Sequence, residues 1–366
     1  MKILVKPNLY DYIAEWEAAS SVNLRNSLKL NYLSQLTNYH QANCAPYRKI
    51  LEDTVNLNAS LDSLESVPFI PVGLFKHIDL LSIPMESVSK IMNSSGTTSQ
   101  IKSKIFLDRT NSIDQTKSLA RIVSDRVGVE RAPLLILDSP SIVRDRNHFS
   151  ARGAGILGFS MFGRPVMYAL NPDMTLNTNV LDEFLEYSKR SKTLLYGFTS
   201  IIWEHFLIEL SRLDMNLNLK HATLIHGGGW KKLAEANISN TDFGDRLFSS
   251  TKIRNSINYY GMVEQTGSIY MECEMGYLHT SAYNDVLIRH ERDFSVANVE
   301  EKGLIQVMSV LPISYPGHSI LTEDVGRILG IDTCQCGRPG KFFTVEGRLK
   351  KAEIRGCSDT YSSQFE

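Results

Sequence analysis

The feature that most constrains the fold of this chain is a regular alternation between segments of helical periodicity and short apolar runs. Apolar residues recur at helical spacing in residues 112–127, 180–191, 199–212 and 242–251. Short apolar runs occupy residues 133–137, 193–197, 222–225 and 256–260. Because buried strands that alternate with helices are typical of layered α/β domains, the sequence predicts sheets with flanking helices.

The two ends of the chain have different patterns. About the first 85 residues have helical spacing, as in Tyr10, Ile13 and Trp16, until two prolines near residue 70 interrupt it. From about residue 285 short strands and turns follow one another, which predicts a β-rich part. Residues 144–163 are rich in Gly, Arg and Ser, and we expect a loop there.

Composition excludes several classes of protein. Hydrophobic content of 43%, charged content of 22% and a formal net charge of −1 describe an ordinary soluble protein, without a charge excess for nucleic acid or a membrane surface. The chain has no apolar run of about 18 residues, and the apolar run at its start is too short for a signal peptide. Five cysteines in 366 residues do not form a disulfide scaffold, so we expect a reduced, cytoplasmic protein.

Residues 94–103 have the composition of a phosphate-binding turn between two strand-like segments. Gly96 allows the main chain to approach an anion, and Lys102 adds a positive charge. The hydroxyl donors are Ser94, Ser95, Thr97 and Thr98. The run lacks the second glycine and the Gly-Lys-Ser/Thr ending of a Walker A loop. A solvated turn is the alternative.

Three further clusters lie downstream. Gly227, Gly228 and Gly229 end a predicted strand and would let a flat ring lie against the main chain, although such a triplet is more often a tight turn. Glu264, among small residues after the next strand, suits a magnesium-bound nucleotide, whereas a lone glutamate is usually just solvated. The third cluster joins residues 321–327 to residues 345–350.

In this order, the clusters resemble those of the adenylate-forming ligase superfamily. Within it, the chain is similar to the branch that holds phenylacetate–CoA ligases and the acyl-protein synthetases of the LuxE type. Residues 67–76, 94–108 and 353–358 are most similar to the acyl-protein synthetases, and the resemblance covers roughly residues 65–358. It implies a layered α/β adenylate-forming domain that activates a carboxylic acid with ATP and transfers it to a thiol.

The resemblance also implies residue roles. The segment that holds Ser94, Ser95, Gly96, Thr97, Thr98 and Lys102 would bind the β- and γ-phosphates. Gly227, Gly228, Gly229 and Tyr260 would line the adenine. Glu264 would bind Mg²⁺, Asp324 the ribose and Arg348 the nucleotide, with Lys350 at the hinge. Lysine, magnesium and oriented donors suit this chemistry, because attack on the α-phosphate gathers negative charge.

Two departures from the superfamily pattern affect these expectations. Ser99 and Ile101 replace the second glycine and the proline of the usual loop. Residues 1–345 would form the adenylate-forming domain, with a helical part over about 1–85 and a zinc-bearing part over about 270–345. Residues 346–366 would be a short remnant of the mobile C-terminal domain, without the catalytic lysine that this domain usually carries.

The cysteines have two different expected roles. Cys273 with His279, and Cys334 with Cys336, make a set of three thiols and one imidazole suited to a tetrahedral structural zinc. Small buried hydrophobes and a satisfied histidine are the alternative. Cys357 follows several cations that raise the thiolate fraction, and it lies where acyl-protein synthetases carry their acylated cysteine. An ordinary exposed thiol is the alternative there.

The leading hypothesis is therefore an ATP-dependent acyl-protein synthetase. It would adenylate a carboxylic acid, in the fatty-acid class, and transfer the acyl group to Cys357 for delivery to an acyl reductase partner. The first alternative is an acyl-CoA ligase with coenzyme A as the acceptor. The second is a non-catalytic nucleotide-binding subunit.

Overall fold

The computed structural model describes residues 6–54, 61–94, 101–143, 151–228, 233 and 236–349. It has two compact units. The terminal unit combines Met1–Leu119 with Met262–Glu366, and the middle unit is Ala120–Gly261. The division falls within the helix Arg109–Val127. None of the helices in the described part of the chain is long and apolar enough to cross a bilayer.

The middle unit contains a parallel sheet. Its strands, from one edge to the other, are β5 (Gly163–Tyr168), β4 (Ala132–Ile136), β6 (Thr193–Phe198), β7 (Ala222–Gly227) and β8 (Asn255–Tyr260). Its helices are α5 (Ala151–Ser160), α6 (Thr178–Ser188), α7 (Thr199–Ile201), α8 (Ile208–Arg212) and α9 (Asn240–Thr251), with a π-helical segment, Ile202–Leu207, before α8. Because the strands are parallel, their carboxyl ends lie at one edge of the sheet.

The predicted strands and helices of this unit are confirmed, since buried apolar runs such as Leu134 to Ile136 form its core. The loop expected over residues 144–163 is wrong for Ala151–Ser160, which is helix α5. Gly155 of this helix serves close packing rather than a turn, because a Cβ there would lie 2.5 Å from the Tyr196 hydroxyl.

The terminal unit combines helices with a mainly antiparallel sheet. Its helices are α1 (Leu9–Ala18), α2 (Val22–Asn43), α3 (Ala45–Thr54) and the first part of α4 (Arg109–Val127). Neighbouring strands are β11 (Asn284–Arg289), β12 (Gly303–Ser309), β13 (Ser319–Ile331), β14 (Lys341–Arg348), β10 (Leu278–His279) and β9 (Tyr270–Glu272). The short strand β1 (Ile70–Pro71) pairs in parallel with β13, and β2 (Lys90–Asn93) forms a hairpin with β3 (Lys104–Leu107).

A buried charge cluster joins α2 to the sheet of the terminal unit. The Lys29 ammonium lies 2.9 Å from a carboxylate oxygen of Asp285, and the Lys341 ammonium lies 2.8 Å from the other. Lys29 also donates to the main-chain carbonyls of Ser281 and Asn284. Since both ammoniums and the carboxylate have close partners, the cluster fixes the register of the helix on β11.

Candidate active site and metal centre

The β2–β3 hairpin of the terminal unit holds the two ends of the proposed phosphate loop, Ser94 and Ser103. The main chains of Ser94 and Ser103 are bonded at 3.0 Å, and the Ser94 hydroxyl accepts from the Ser103 amide at 2.9 Å. Lys102 is exposed beside them. Ser95, Gly96, Thr97 and Thr98 lie outside the described residues. The two strands that flank the expected turn are therefore paired, and Ser94 and Ser103 are hydrogen-bonded where the described residues of the run end.

Glu264 has a buried carboxylate, which the Ser103 side chain of this hairpin contacts. It lies in a single 3₁₀ turn, Val263–Gln265, and only 5% of its surface is exposed. Burial raises the pKa of Glu264, and a hydrogen bond from the Ser103 side chain, followed by the charges of Lys76 and Arg348, acts in the opposite direction. The carboxylate is thus held in a partly compensated state, which favours a bound cation.

The turn that carries Glu264 is held by its neighbours. The Tyr315 hydroxyl donates to the Glu264 carbonyl at 2.8 Å, and the Gln265 amide donates to the Gly317 carbonyl at 2.9 Å. Gly267 has a left-handed φ of +84°, and a Cβ there would lie 2.4 Å from the Gln115 carbonyl oxygen. These contacts fix the main chain of the turn that carries Glu264.

Asp324 and Arg348 lie opposite one another on β13 and β14. The Arg348 guanidinium is 3.3 Å from a carboxylate oxygen of Asp324 and 3.5 Å from one of Glu323. Because Arg348 also acts on Glu264, the terminal unit brings three of the predicted residues into one electrostatic group. Lys350 and Cys357 lie outside the described residues.

The predicted adenine-lining residues that are described lie at the carboxyl edge of the middle sheet. A Cβ on Gly227 would lie 2.4 Å from the Tyr259 carbonyl oxygen, and Gly228 has a φ of +70° with the Phe198 ring 3.0 Å from its ideal Cβ. Tyr260 ends β8 and is half-buried. Both glycines are thus required by local packing alone, and Gly229 lies outside the described residues.

An aromatic layer lies beside these glycines. The Tyr196 and Tyr259 hydroxyls are 2.9 Å apart, and Phe159 stacks on Tyr196 with ring centroids 4.0 Å apart. Phe159 and Tyr196 are buried side chains of this layer.

Sequence reasoning also gave no role to three charged or polar residues that the structure singles out. Ser103 and Lys76 act on Glu264 as described above. Asp138, fully buried just beyond β4, accepts from the Arg152 guanidinium at 2.6 Å and joins α5 to the sheet edge. An acidic residue directly after a buried apolar run is the signal that could have drawn attention to Asp138.

The four predicted metal ligands come together in the terminal unit. The ligand atoms of Cys273, His279, Cys334 and Cys336 all lie within 4.8 Å of one another. Two turns with left-handed glycines, Gly276 at φ +76° and Gly337 at φ +76°, supply them from separate parts of the chain. The first turn follows β9 and the second precedes β14, so the sheet brings the two pairs together.

The distances in this cluster fit a tetrahedral zinc. Bonds of about 2.3 Å to sulfur and about 2.0 Å to nitrogen place neighbouring sulfurs about 3.8 Å apart and a sulfur–nitrogen pair about 3.5 Å apart. The Cys273 and Cys334 sulfurs are 3.8 Å apart, and the Cys336 sulfur is 3.4 Å from His279 Nε2. His279 also stacks on Phe342, which fixes its ring plane. These two distances therefore allow the donor set to hold a zinc ion.

Comparison with protein families shows to which family the chain belongs. The family described as "Acyl-protein synthetase, LuxE" matches residues 14–366. The chain belongs to the LuxE acyl-protein synthetase family. This LuxE family member has no match among curated proteins.

Solved structures show the fold of this LuxE family member. A 2-hydroxyisobutyryl-CoA ligase in an open conformation, in complex with 2-HIB-AMP and CoA, matches with a TM-score of 0.72 at 16% identity, over 91% of this chain and 76% of that chain. The same enzyme in the thioesterification state matches with a TM-score of 0.71 at 16% identity, over 91% and 70% of the two chains. The expected adenylate-forming ligase fold is confirmed. Family and fold together indicate a ligase that activates an acyl group with ATP.

Proposed function

We propose that this LuxE family member adenylates a carboxylic acid of the fatty-acid class and transfers the acyl group to its own Cys357. In the first step a carboxylate oxygen attacks the α-phosphorus of ATP, and pyrophosphate leaves. In the second step the Cys357 thiolate attacks the acyl carbonyl, and AMP leaves. An acyl reductase partner then takes the acyl group, and the protein acts in the cytoplasm.

The observation that carries the first step is the buried, partly compensated carboxylate of Glu264. A carboxylate with a pKa raised by burial is stabilised when a divalent cation approaches it. Mg²⁺ held there would neutralise charge on the phosphate oxygens. Lys102 and the hydroxyls of residues 94–98 would bind the β- and γ-phosphates, and Arg348 would lie near the nucleotide.

Two further groups of residues would position the nucleoside. Asp324, whose carboxylate is already oriented by Arg348, would accept from the ribose hydroxyls. Gly227 to Gly229 and Tyr260 would line the adenine, because main chain without side chains allows a flat ring to approach closely. The geometry of Gly227 and Gly228 is compatible with this role, although their packing also explains them.

Cys357 as acceptor is supported by the family and by the sequence around it. Lys351 and Arg355 precede it, and nearby cations raise the thiolate fraction of a cysteine. A thiolate is the species that attacks an acyl-adenylate, so this segment has the composition that the second step requires.

The two steps are tested separately. ATP–pyrophosphate exchange with a panel of acids of increasing chain length should be strong in the wild type and retained in Cys357→Ser. Labelled fatty acid with ATP should give a hydroxylamine-sensitive protein label in the wild type that Cys357→Ser lacks. Equal labelling of the two proteins would exclude Cys357 as acceptor, and free acyl-CoA without protein label would favour the CoA ligase. Absence of exchange with every acid would leave the non-catalytic alternative.

We also propose that Cys273, His279, Cys334 and Cys336 hold a structural Zn²⁺. Four protein donors leave no position for water, so the ion would stabilise the β9–β10 turn and the turn before β14 rather than take part in acyl transfer. Elemental analysis of the purified protein should find about one zinc per chain. Cys334→Ser should lose it, whereas the buried Cys44→Ser should keep it. Metal-free protein after zinc-replete expression would contradict the proposal.

A further inference from the structure

A short 3₁₀ helix, Val72–Lys76, connects strand β1 to the Glu264 region of the terminal unit. Its position is fixed at the start, because Ile70 and Pro71 pair with Ile320 and Leu321 of β13. Asp324 follows three residues further along the same strand. The helix therefore begins beside the strand that carries a predicted nucleotide ligand.

Leu74 and Phe75 fix the end of this helix. Both are buried, and the Phe75 ring packs edge-on against Tyr315 with centroids 6.3 Å apart. Tyr315 in turn donates its hydroxyl to the Glu264 carbonyl at 2.8 Å. The main chain at Lys76 is thus linked, through two packed rings and a hydrogen bond, to the turn that bears Glu264.

Lys76 is the exposed end of this anchored helix. Within the described residues its ammonium has no ion-pair partner at 4 Å or less, whereas Lys104 pairs with Asp79 at 3.8 Å and Lys6 with Asp108 at 3.5 Å. Lys76 follows directly on Phe75, whose ring packs on Tyr315, the residue that holds the Glu264 turn, and its charge is among those that act on Glu264. A cation that acts on a buried carboxylate and remains solvated is available to an incoming anion.

We propose that the Lys76 ammonium binds an anionic oxygen of the substrate at the Glu264 site. The oxygen belongs to a phosphate of the nucleotide or to the carboxylate of the acid, which share the same recognition chemistry. The inference rests on the proposed function, and it adds to that function a cationic residue for which the sequence predicted no role. A lysine is suited to this role because its compact charge can follow the oxygen as charge develops.

The test compares Lys76→Gln with the matched control Lys104→Gln, an exposed lysine of the same unit. The initial rate of ATP–pyrophosphate exchange is measured against ATP and against the acid. We expect kcat/KM to fall about a hundredfold in Lys76→Gln, as for removal of one oriented donor from a reacting centre. Lys104→Gln should stay near the wild type, and Lys76→Arg should restore part of the rate. A raised KM for ATP identifies a phosphate oxygen, and a raised KM for the acid identifies its carboxylate.

A structural role would give a different result. Both Gln variants should melt within about 2 °C of the wild type, since exposed lysines contribute little to folding. Kinetics of Lys76→Gln equal to those of Lys104→Gln would overturn the inference. If the wild type exchanges with no acid, the proposed function fails by itself. The inference is then decided by equilibrium binding of Mg·ATP and of the acids, and equal affinities of wild type and Lys76→Gln for both, or no binding of either ligand, would overturn it.

Discussion

Two buried carboxylates of the terminal unit, Asp285 and Glu264, have opposite electrostatic environments. Both are at most 5% exposed. Burial raises the pKa of Asp285, but the ammoniums of Lys29 and Lys341, in direct contact, lower it well below its ordinary value. Burial also raises the pKa of Glu264. The hydrogen bond from Ser103 and the charges of Lys76 and Arg348 oppose this effect, but the pKa stays raised. The charge of the buried carboxylate is therefore fully compensated at Asp285 and only partly compensated at Glu264.

The difference between the two environments points to a structural role for the Asp285 charge and supports the functional role proposed for the Glu264 charge. A buried ion pair with close partners on both oxygens fixes α2 on β11 and leaves no site for a further cation. A buried carboxylate without a contacting cation destabilises the folded protein, and such groups are typical of binding and catalytic sites. The contrast supports the proposal that Glu264, rather than Asp285, binds a metal-bound nucleotide.

The largest expected effect is on folding, at Asp285. Asp285→Asn leaves two buried ammoniums without their carboxylate, and we expect the free energy of unfolding to fall by about 3–5 kcal/mol. Urea denaturation followed by circular dichroism measures this change. Asp79→Asn removes an exposed ion pair and should cost at most about 1 kcal/mol. Equal effects of the two substitutions would remove the structural half of the comparison.

The next effect is on activity, at Glu264. Glu264→Gln retains the shape of the side chain but not the charge, and we expect ATP–pyrophosphate exchange to fall about a hundredfold or more. Its free energy of unfolding at pH 7 should stay equal or rise, because a buried charge is removed. Glu346→Gln, at an exposed ion pair with Arg327, should change activity little. Loss of stability in Glu264→Gln would show that its charge is structural after all.

The smallest effect is the pH dependence of stability. Glu264, with Ser103, Lys76, Arg348 and Tyr315 around it, has a folded pKa above its ordinary 4.5. It therefore contributes stability that is complete below pH 4.5 and is lost as the pH rises through the folded pKa. The free energy of unfolding of Glu264→Gln relative to the wild type should increase over this interval, as urea titrations at several pH values would show. A constant difference would mean that the carboxyl titrates normally.

Much of the fold was predictable because its signals are local. The strands around Leu134, Leu194 and Leu224 are continuous apolar runs, as expected for a parallel sheet covered on both faces. Helix α5 was not predictable, because its glycines and arginine are typical of loops. The contact of Gly155 with Tyr196 and the hydrogen bond from Arg152 to Asp138 explain two of these residues. Such contacts depend on distant parts of the chain.

The candidate site was predictable to the extent that residue type and spacing carry it. The thiols and imidazole proposed as metal ligands were identified by their donor types and by the family resemblance, and the structure brings their ligand atoms within 4.8 Å of one another. Lys76 and Ser103 were missed, because their action on Glu264 requires the packing of Phe75 on Tyr315 and the closure of the β2–β3 hairpin. A lone lysine after an apolar residue gives no signal in a sequence.

The two glycines that end β7 limit how this enzyme can evolve. A Cβ at Gly227 would lie 2.4 Å from the Tyr259 carbonyl oxygen, and a side chain at Gly228 would be strained by the φ of +70° and would press on the Phe198 ring. A substitution at either position therefore disturbs β8 or Phe198. If the proposed adenine-lining role holds, new preferences at this edge of the sheet must arise from the surrounding aromatic residues, and a mutant library intended to change substrate choice should vary those and leave the glycines unchanged.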